Sequence, residues 1–235
     1  MATIAEELRA AMGQEHGVDA ADRLCQACVG VLGVDAAAVS LVFAGTNVGT
    51  LGASAAHAKT YDEMQFTYGE GPCLDAVSRR ALIVAADLAD PTETRWPAYG
   101  AAMLAQQIRS VHALPIAVAG QYVGALDLFQ AAPATLETEQ LAGAVAAAQL
   151  AQIPMLDLLN SDLHSSATPG SDAWRELDTL TRAEVSQATG MLMAQLGLDA
   201  PAALVRIRAH AYATGRSATD VARDIVDHRL KLEPN

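Results

Sequence analysis

Aromatic side chains make up only 4% of the 235 residues, although 51% are hydrophobic. A core is therefore available, built from aliphatic side chains rather than rings, and disorder throughout is excluded. Basic residues are scarce too: 15 Lys and Arg stand against 27 Asp and Glu, a net charge of −12 that repels phosphate backbones and excludes non-specific nucleic-acid coating. Cysteine, at three, is too sparse and odd in number for a disulfide scaffold, which predicts thiols in a reducing compartment. No run of about 18 uncharged apolar residues has the flanks of a membrane span; the richest, 141–159, carries Pro154 and Asp157. The first residues lack a basic or apolar leader, so a cytoplasmic location with no membrane partner is expected. Walker, G-x-G-x-x-G and G-x-S-x-G patterns are missing as well. Neither a cofactor nor enzymatic activity is expected.

The charge is unevenly spread. Residues 173–235 hold eight basic and eight acidic side chains, so the whole net charge belongs to the front of the chain. A polar, turn-forming segment at 161–172 interrupts two Ala-rich helical stretches and is assigned as a linker. Before it, residues 1–17 form an N-terminal helical segment and 18–160 a single unit. Its expected order is a helix at 20–33, strands at 38–43 and 49–53, helical pieces at 55–64 and 72–80, and a strand at 81–85. A helix at 97–107, strands at 110–118 and 122–129, and a long closing helix at 136–160 complete it. This is an α+β domain with paired strands. Beyond the linker, 173–235 reads as three helices, at 174–196, 199–214 and 217–230. Gly197 and Gly215 are their stops, and Asp199 and Ser217 their N-caps. The core stripes are Val185, Ala188, Leu192 and Leu196; Leu204, Ile207 and Ala211; and Val221, Ala222 and Ile225.

The element order of the front unit, with the segment Gly69-Glu-Gly-Pro-Cys-Leu-Asp-Ala76, resembles a GAF domain of actinobacterial regulators. The resemblance implies a PAS-like antiparallel sheet, a sensing or dimerising role, and a pocket on one sheet face for a small-molecule ligand. Three further runs, Thr181-Arg-Ala-Glu-Val-Ser-Gln-Ala-Thr-Gly-Met-Leu-Met193, Ala202-Ala-Leu-Val-Arg-Ile-Arg-Ala-His-Ala211 and Val221-Ala-Arg-Asp-Ile-Val226, resemble an ANTAR domain in order and extent. That resemblance implies an all-α three-helix module that binds RNA hairpins in nascent transcripts and promotes transcription antitermination. Many such domains place lysine where this chain has Thr189.

The candidate RNA-binding residues are Arg182, Gln187, Gly190, Arg206, Arg208, Tyr212 and Arg216. Guanidinium forks pair with phosphate and stack on unstacked bases. Arg216 precedes the N-cap Ser217, where free N–H groups and the helix dipole also favour an anion. The bland alternative is that these arginines pair with Glu184, Asp220 or Asp224 on a solvated face. Gly190 costs its helix about 1 kcal/mol against Ala, which predicts close approach by RNA or, preferably, by a neighbouring helix. Tyr212 reads as a base-stacking residue or as partial core.

In the front unit, Cys73 follows Pro72 at a helix start, where the dipole can activate a thiol. His112 in its strand reads as a core or pocket residue. Cys25 and Cys28, mid-helix, read as packing, and no fourth ligand at zinc-finger spacing accompanies them, so no metal is expected. Two functions follow. The leading one is a signal-responsive antitermination regulator, a homodimer for which the Ala-rich helix at 136–160 is a candidate seam, the alternative being a helix packed only on its own sheet. The other is a thiol-based redox sensor or sulfoxide reductase, pairing Cys73 with Cys25 or Cys28.

Overall fold

The computed structural model describes residues 3–43, 45–165 and 182–233, with the backbone alone over 159–165. Helix α1 (Ile4–Met12) starts on a capping box in which Thr3 and Glu6 satisfy each other's backbone N–H. Its buried Leu8 and Met12 join the core of the sheet domain. Helix α2 (Gly17–Leu32) buries Leu24, Cys25, Cys28 and Leu32, with Ala27 and Val31 half-buried, and ends at Gly33.

Strands β1 (Ala36–Phe43), β2 (Thr46–Ala53), β3 (Ile83–Ala85), β4 (Ser110–Val118) and β5 (Gln121–Gln130) form one antiparallel sheet in the order β2-β1-β5-β4-β3. Helices α3 (Ala56–Tyr68), α4 (Pro72–Arg79) and α5 (Pro97–Ala105) are associated with one face. The other face carries α1, α2, α6 (Thr138–Leu150) and α7 (Gln152–Ser165).

Each strand residue points to the face opposite its neighbours, so the sheet separates two cores. Val39, Leu114, Ile116, Leu126 and Leu128 pack with α2 and α6, whereas Ala38, Val111, Ala113, Ala125 and Phe129 pack with α4 and α5.

The single long helix expected at 136–160 is two, broken at Ala151 shortly before Pro154, whose missing N–H and ring disfavour an unbroken ladder. Helix α7 continues through 161–165, into the segment assigned as linker; the remainder of that linker lies outside the described residues. The stretch Thr138–Leu158 is long and apolar enough to cross a membrane, but half of it is buried on the sheet domain's own core.

The C-terminal unit comprises α8 (Ala183–Leu196), α9 (Ala200–Thr214) and α10 (Ala218–Val226). Every cap read from the sequence is in place: Asp199 Oδ1 accepts the Ala202 N–H, Ser217 Oγ accepts the Asp220 N–H, and Gly197 and Gly215 turn left-handed. Val185, Ala188, Leu192, Ile207, Ala211, Val221, Ala222 and Ile225 are buried together as expected. The expected helix at 174–196 differs at its start. Arg182 adopts a left-handed conformation, φ 50°, and α8 begins only after it; 174–181 lie outside the described residues.

Candidate functional site

The sheet face covered by α3, α4 and α5 is polar at its centre. Asp62 on α3 and Asp127 on β5 are both fully buried, and Ser40 on β1 sits between them. Ser40 Oγ is 2.6 Å from Asp62 Oδ1 and 2.7 Å from Asp127 Oδ2. A serine hydroxyl has one proton to donate, so one of these carboxyls must itself be the donor. Burial, and then the Asp62 carboxylate, push Asp127 up to about 8, which makes it the acid at neutral pH. Asn47 Nδ2 donates to Asp62 Oδ1 at 2.6 Å, and Thr50 Oγ1 donates to Oδ2.

The run Gly69-Glu-Gly-Pro-Cys builds the remainder of this centre. Gly71 has φ 150°, and a side chain there would meet Gln65 Oε1 at 2.5 Å. Its absence lets Gln65 accept the Cys73 N–H at 2.8 Å while donating to Asp127 Oδ2 at 3.1 Å. Glu70 Oε1 accepts the N–H groups of Ala98 and Tyr99 at 2.7 and 3.0 Å, capping α5 and fixing where Tyr99 starts. Tyr99 is fully buried; after burial itself, the charges of Asp127, Cys73 and Asp62 oppose its ionisation. Neither Tyr99 Oη nor Asp127 Oδ1 has a hydrogen-bond partner among the described residues.

Cys73 and His112 do not share a pocket. Cys73 lies at the start of α4 as expected, but it is fully buried, and burial followed by Asp127 and Asp62 pushes its thiol well above the usual range. This is the reverse of the expected activation: the charge of two carboxyls and the loss of water outweigh a helix end. Cys25 and Cys28 belong to the opposite core, so the sheet stands between them and Cys73. The arrangement does not supply a resolving partner. His112, paired across from Leu128, alternates with Val111 and Ala113 and so faces the apolar α2 side. Both of its ring nitrogens are buried without hydrogen-bond partners among the described residues, and burial lowers its pKa.

The candidate RNA contacts are distributed differently from the single exposed patch that their sequence positions suggest. Arg182 is 7% exposed; its Nε donates to Glu63 at 2.7 Å, its Nη1 to Asn47 Oδ1 at 3.1 Å, and Nη2 lies 3.9 Å from Asp62. Phe66 of α3 inserts into the three-helix core, with the Arg182 and Arg208 guanidinium carbons 4.4 and 4.8 Å from its ring centre. Arg208 Nε is buried without a partner, and a side chain on Gly69 would meet Arg208 Nη1 at 3.0 Å. Tyr212 stacks edge-on against Tyr68, 5.9 Å between ring centres. Thr219 donates to Glu63 at 2.7 Å, and Thr67 Oγ1 accepts the Ala218 N–H at 3.1 Å.

Elsewhere, Arg216 donates to Asp224 at 2.6 Å and Arg206 to the Glu233 carbonyl at 2.7 Å. Gln187 and Gly190 are exposed, and nothing lies within 4 Å of where a Gly190 side chain would begin. The expected helix packing at Gly190 is therefore not found; Gly190 and Thr189 instead line an apolar cleft of about 680 Å³, with Val48, Phe66, Arg182 and Arg208 among its walls.

Two domain signatures match this architecture: GAF over residues 16–153 and ANTAR over 178–226. The chain belongs to the GAF domain family and carries a C-terminal ANTAR domain. Two solved GAF domains of phosphoenolpyruvate-protein phosphotransferases align with it. The Acinetobacter domain has a TM-score of 0.52 at 11% identity, covering 68% of this chain and 95% of that one. The Coxiella burnetii domain has a TM-score of 0.51 at 18% identity, covering 70% and 95%. At these identities the likeness is one of fold alone. Among curated protein sequences none matches. The pairing of a GAF sensor domain with an RNA-binding ANTAR domain is that of a regulator of transcription antitermination.

Asp62, Asp127, Asn47 and Tyr99 were not flagged by sequence spacing. The signal that could have found Asp127 is local: it is a carboxyl on the inward side of the otherwise apolar strand Ala125-Leu-Asp-Leu-Phe129.

Proposed function

We propose that the chain is a signal-responsive antitermination regulator whose ANTAR domain grips RNA hairpins and whose GAF domain restrains that grip. The observation that carries this is the position of Arg182, Arg208 and Tyr212, three of the seven candidate RNA contacts, against α3 of the GAF domain. In this closed arrangement Arg182 is buried and held by Glu63 and Asn47 and Arg208 is packed on Phe66, so neither guanidinium is free for RNA, while Tyr212 touches Tyr68 and stays exposed. RNA binding requires α3 and the three helices to part, with Arg206, Arg216 and Gln187 completing the contact. Thr189 lowers the positive charge of the cleft relative to many ANTAR domains, so recognition rests on loop bases and shape as well as on phosphates.

A salt-titrated binding assay with tandem-hairpin RNA on the full chain tests the reading. Glu63→Ala removes the acceptor of both Arg182 and Thr219 and is expected to tighten binding about tenfold, within the usual span of a coupling between sites. Arg208→Ala introduced alongside it is expected to reverse the gain. Absence of hairpin binding by wild type and Glu63→Ala at every salt concentration overturns the proposal.

The regulator acts as a homodimer on this reading. Val145, Ile153 and Leu156 are 42–44% exposed along α6 and α7, an apolar outer strip that a second copy would cover.

A further inference from the structure

We infer that the buried polar centre of the GAF domain is a binding site for a divalent transition-metal ion, held by Asp62, Cys73 and Asp127. One carboxylate oxygen from each aspartate and Cys73 Sγ lie within 4.8 Å of one another, and all three residues are buried. This is more than two acids in proximity. Asp127 is fully buried and its Oδ1 lacks a partner among the described residues. A buried oxygen without a donor is costly, and a cation answers it.

The donor set selects the class of ion. Carboxylates alone would suit magnesium or calcium, but a thiol contributes nothing to those hard ions and favours zinc, ferrous iron or cobalt. The surroundings supply the outer layer that such sites use. Gln65 bonds Asp127 and the Cys73 backbone, and Asn47 and Thr50 fix Asp62, so each ligand is oriented by a neighbour. Binding would release the protons of the Cys73 thiol and the Asp127 acid to solvent as the ion takes their place.

The site also touches the domain interface. Arg182 lies 3.9 Å from Asp62 and bonds Asn47, so a cation at Asp62 adds positive charge next to the guanidinium that anchors the ANTAR domain. This coupling rests on the proposed function; the metal site does not.

The test uses the full chain, stripped with chelator and titrated with cobalt(II), then with zinc and ferrous iron in competition. One equivalent of cobalt is expected, with a near-ultraviolet sulfur-to-cobalt charge-transfer band that zinc displaces. Cys73→Ser is expected to abolish the band, while the Cys25→Ser/Cys28→Ser double variant keeps it. Asp127→Asn, which preserves shape, is expected to weaken cobalt binding about tenfold or more while circular dichroism stays unchanged. No stoichiometric cobalt, or a band that survives in Cys73→Ser, overturns the site. Stoichiometric cobalt with unaltered hairpin affinity in wild type leaves the site standing and removes only the coupling to Arg182.

Discussion

The two faces of the sheet are made by the same five strands yet bury opposite chemistry. Towards α2, α6 and α7 the strands present Val39, Leu114, Ile116, Leu126 and Leu128 to a dry aliphatic core. Towards α3, α4 and α5 they present Ser40 and Asp127 to a centre of hydrogen bonds. The dry face gains stability in proportion to the area it removes from water. The polar face has to satisfy each donor and acceptor individually, and Asp127 Oδ1 and Tyr99 Oη have no hydrogen-bond partner among the described residues. One face thus holds the domain together, and the other is free to recognise something.

The strongest blow to this comparison is expected on the dry side. Leu126→Ala, at a fully buried position, should cost about 2–5 kcal/mol, read as a fall in the midpoint of chemical or thermal unfolding. A cost below about 1 kcal/mol would mean that the aliphatic face is not the main source of stability. On the polar side, Gly71→Ala introduces a side chain at φ 150° that meets Gln65 at 2.5 Å. A loss of about 1–3 kcal/mol is expected, smaller because Gln65 can swing away at the expense of its bonds to Cys73 and Asp127. Unchanged unfolding in that variant would show that the Gln65 bridge does not organise the centre.

His112 sharpens the contrast, being a histidine buried on the dry face. Its folded pKa lies below its unfolded value of about 6.5 because burial opposes its charge. Its contribution is therefore complete above pH 6.5 and is lost as pH falls towards the folded value, since the unfolded chain takes up the proton first. The slope reaches at most about 1.4 kcal/mol per pH unit. Denaturant melts between pH 7 and 5 should show this slope reduced in His112→Leu; parallel curves for the two proteins would place the acid sensitivity elsewhere.

The smallest effect on folding is expected outside the dry core, at Leu156, which is 43% exposed. Leu156→Asp should leave the melting midpoint within about 0.5 kcal/mol of wild type while shifting a homodimer to monomer in sedimentation analysis. A dimer that persists in the variant would put the seam on another surface.

Much of this fold was legible in single residues. Asp199, Ser217, Gly197 and Gly215 act over one helical turn, and all four cap as their types predict. The stripes of α2 and α8–α10 follow from the 3.6-residue period, which depends only on side chains three and four apart. Arg182 was misread because the same local logic gave it to a continuing helix, whereas its bonds to Glu63 and Asn47 lie 119 and 135 positions away in the chain. Arg208 on Phe66 is a second case, since helix periodicity cannot report which outer face another domain covers. Cys73 was placed at a helix start correctly and misjudged chemically, because its surroundings come from β5 and α3 rather than from its neighbours in sequence.

By itself, then, the sequence determined most of the element order, the C-terminal helix caps and the core stripes, each a consequence of interactions within a few residues, and its resemblances gave the two domain types. Only the tertiary structure decided that Asp62, Cys73 and Asp127 meet in one buried place, and that α3 covers part of the RNA-binding helices. Electrostatic cost and hydrogen-bond satisfaction depend on distance through space, and that distance exists only once the sheet has closed between its two layers of helices.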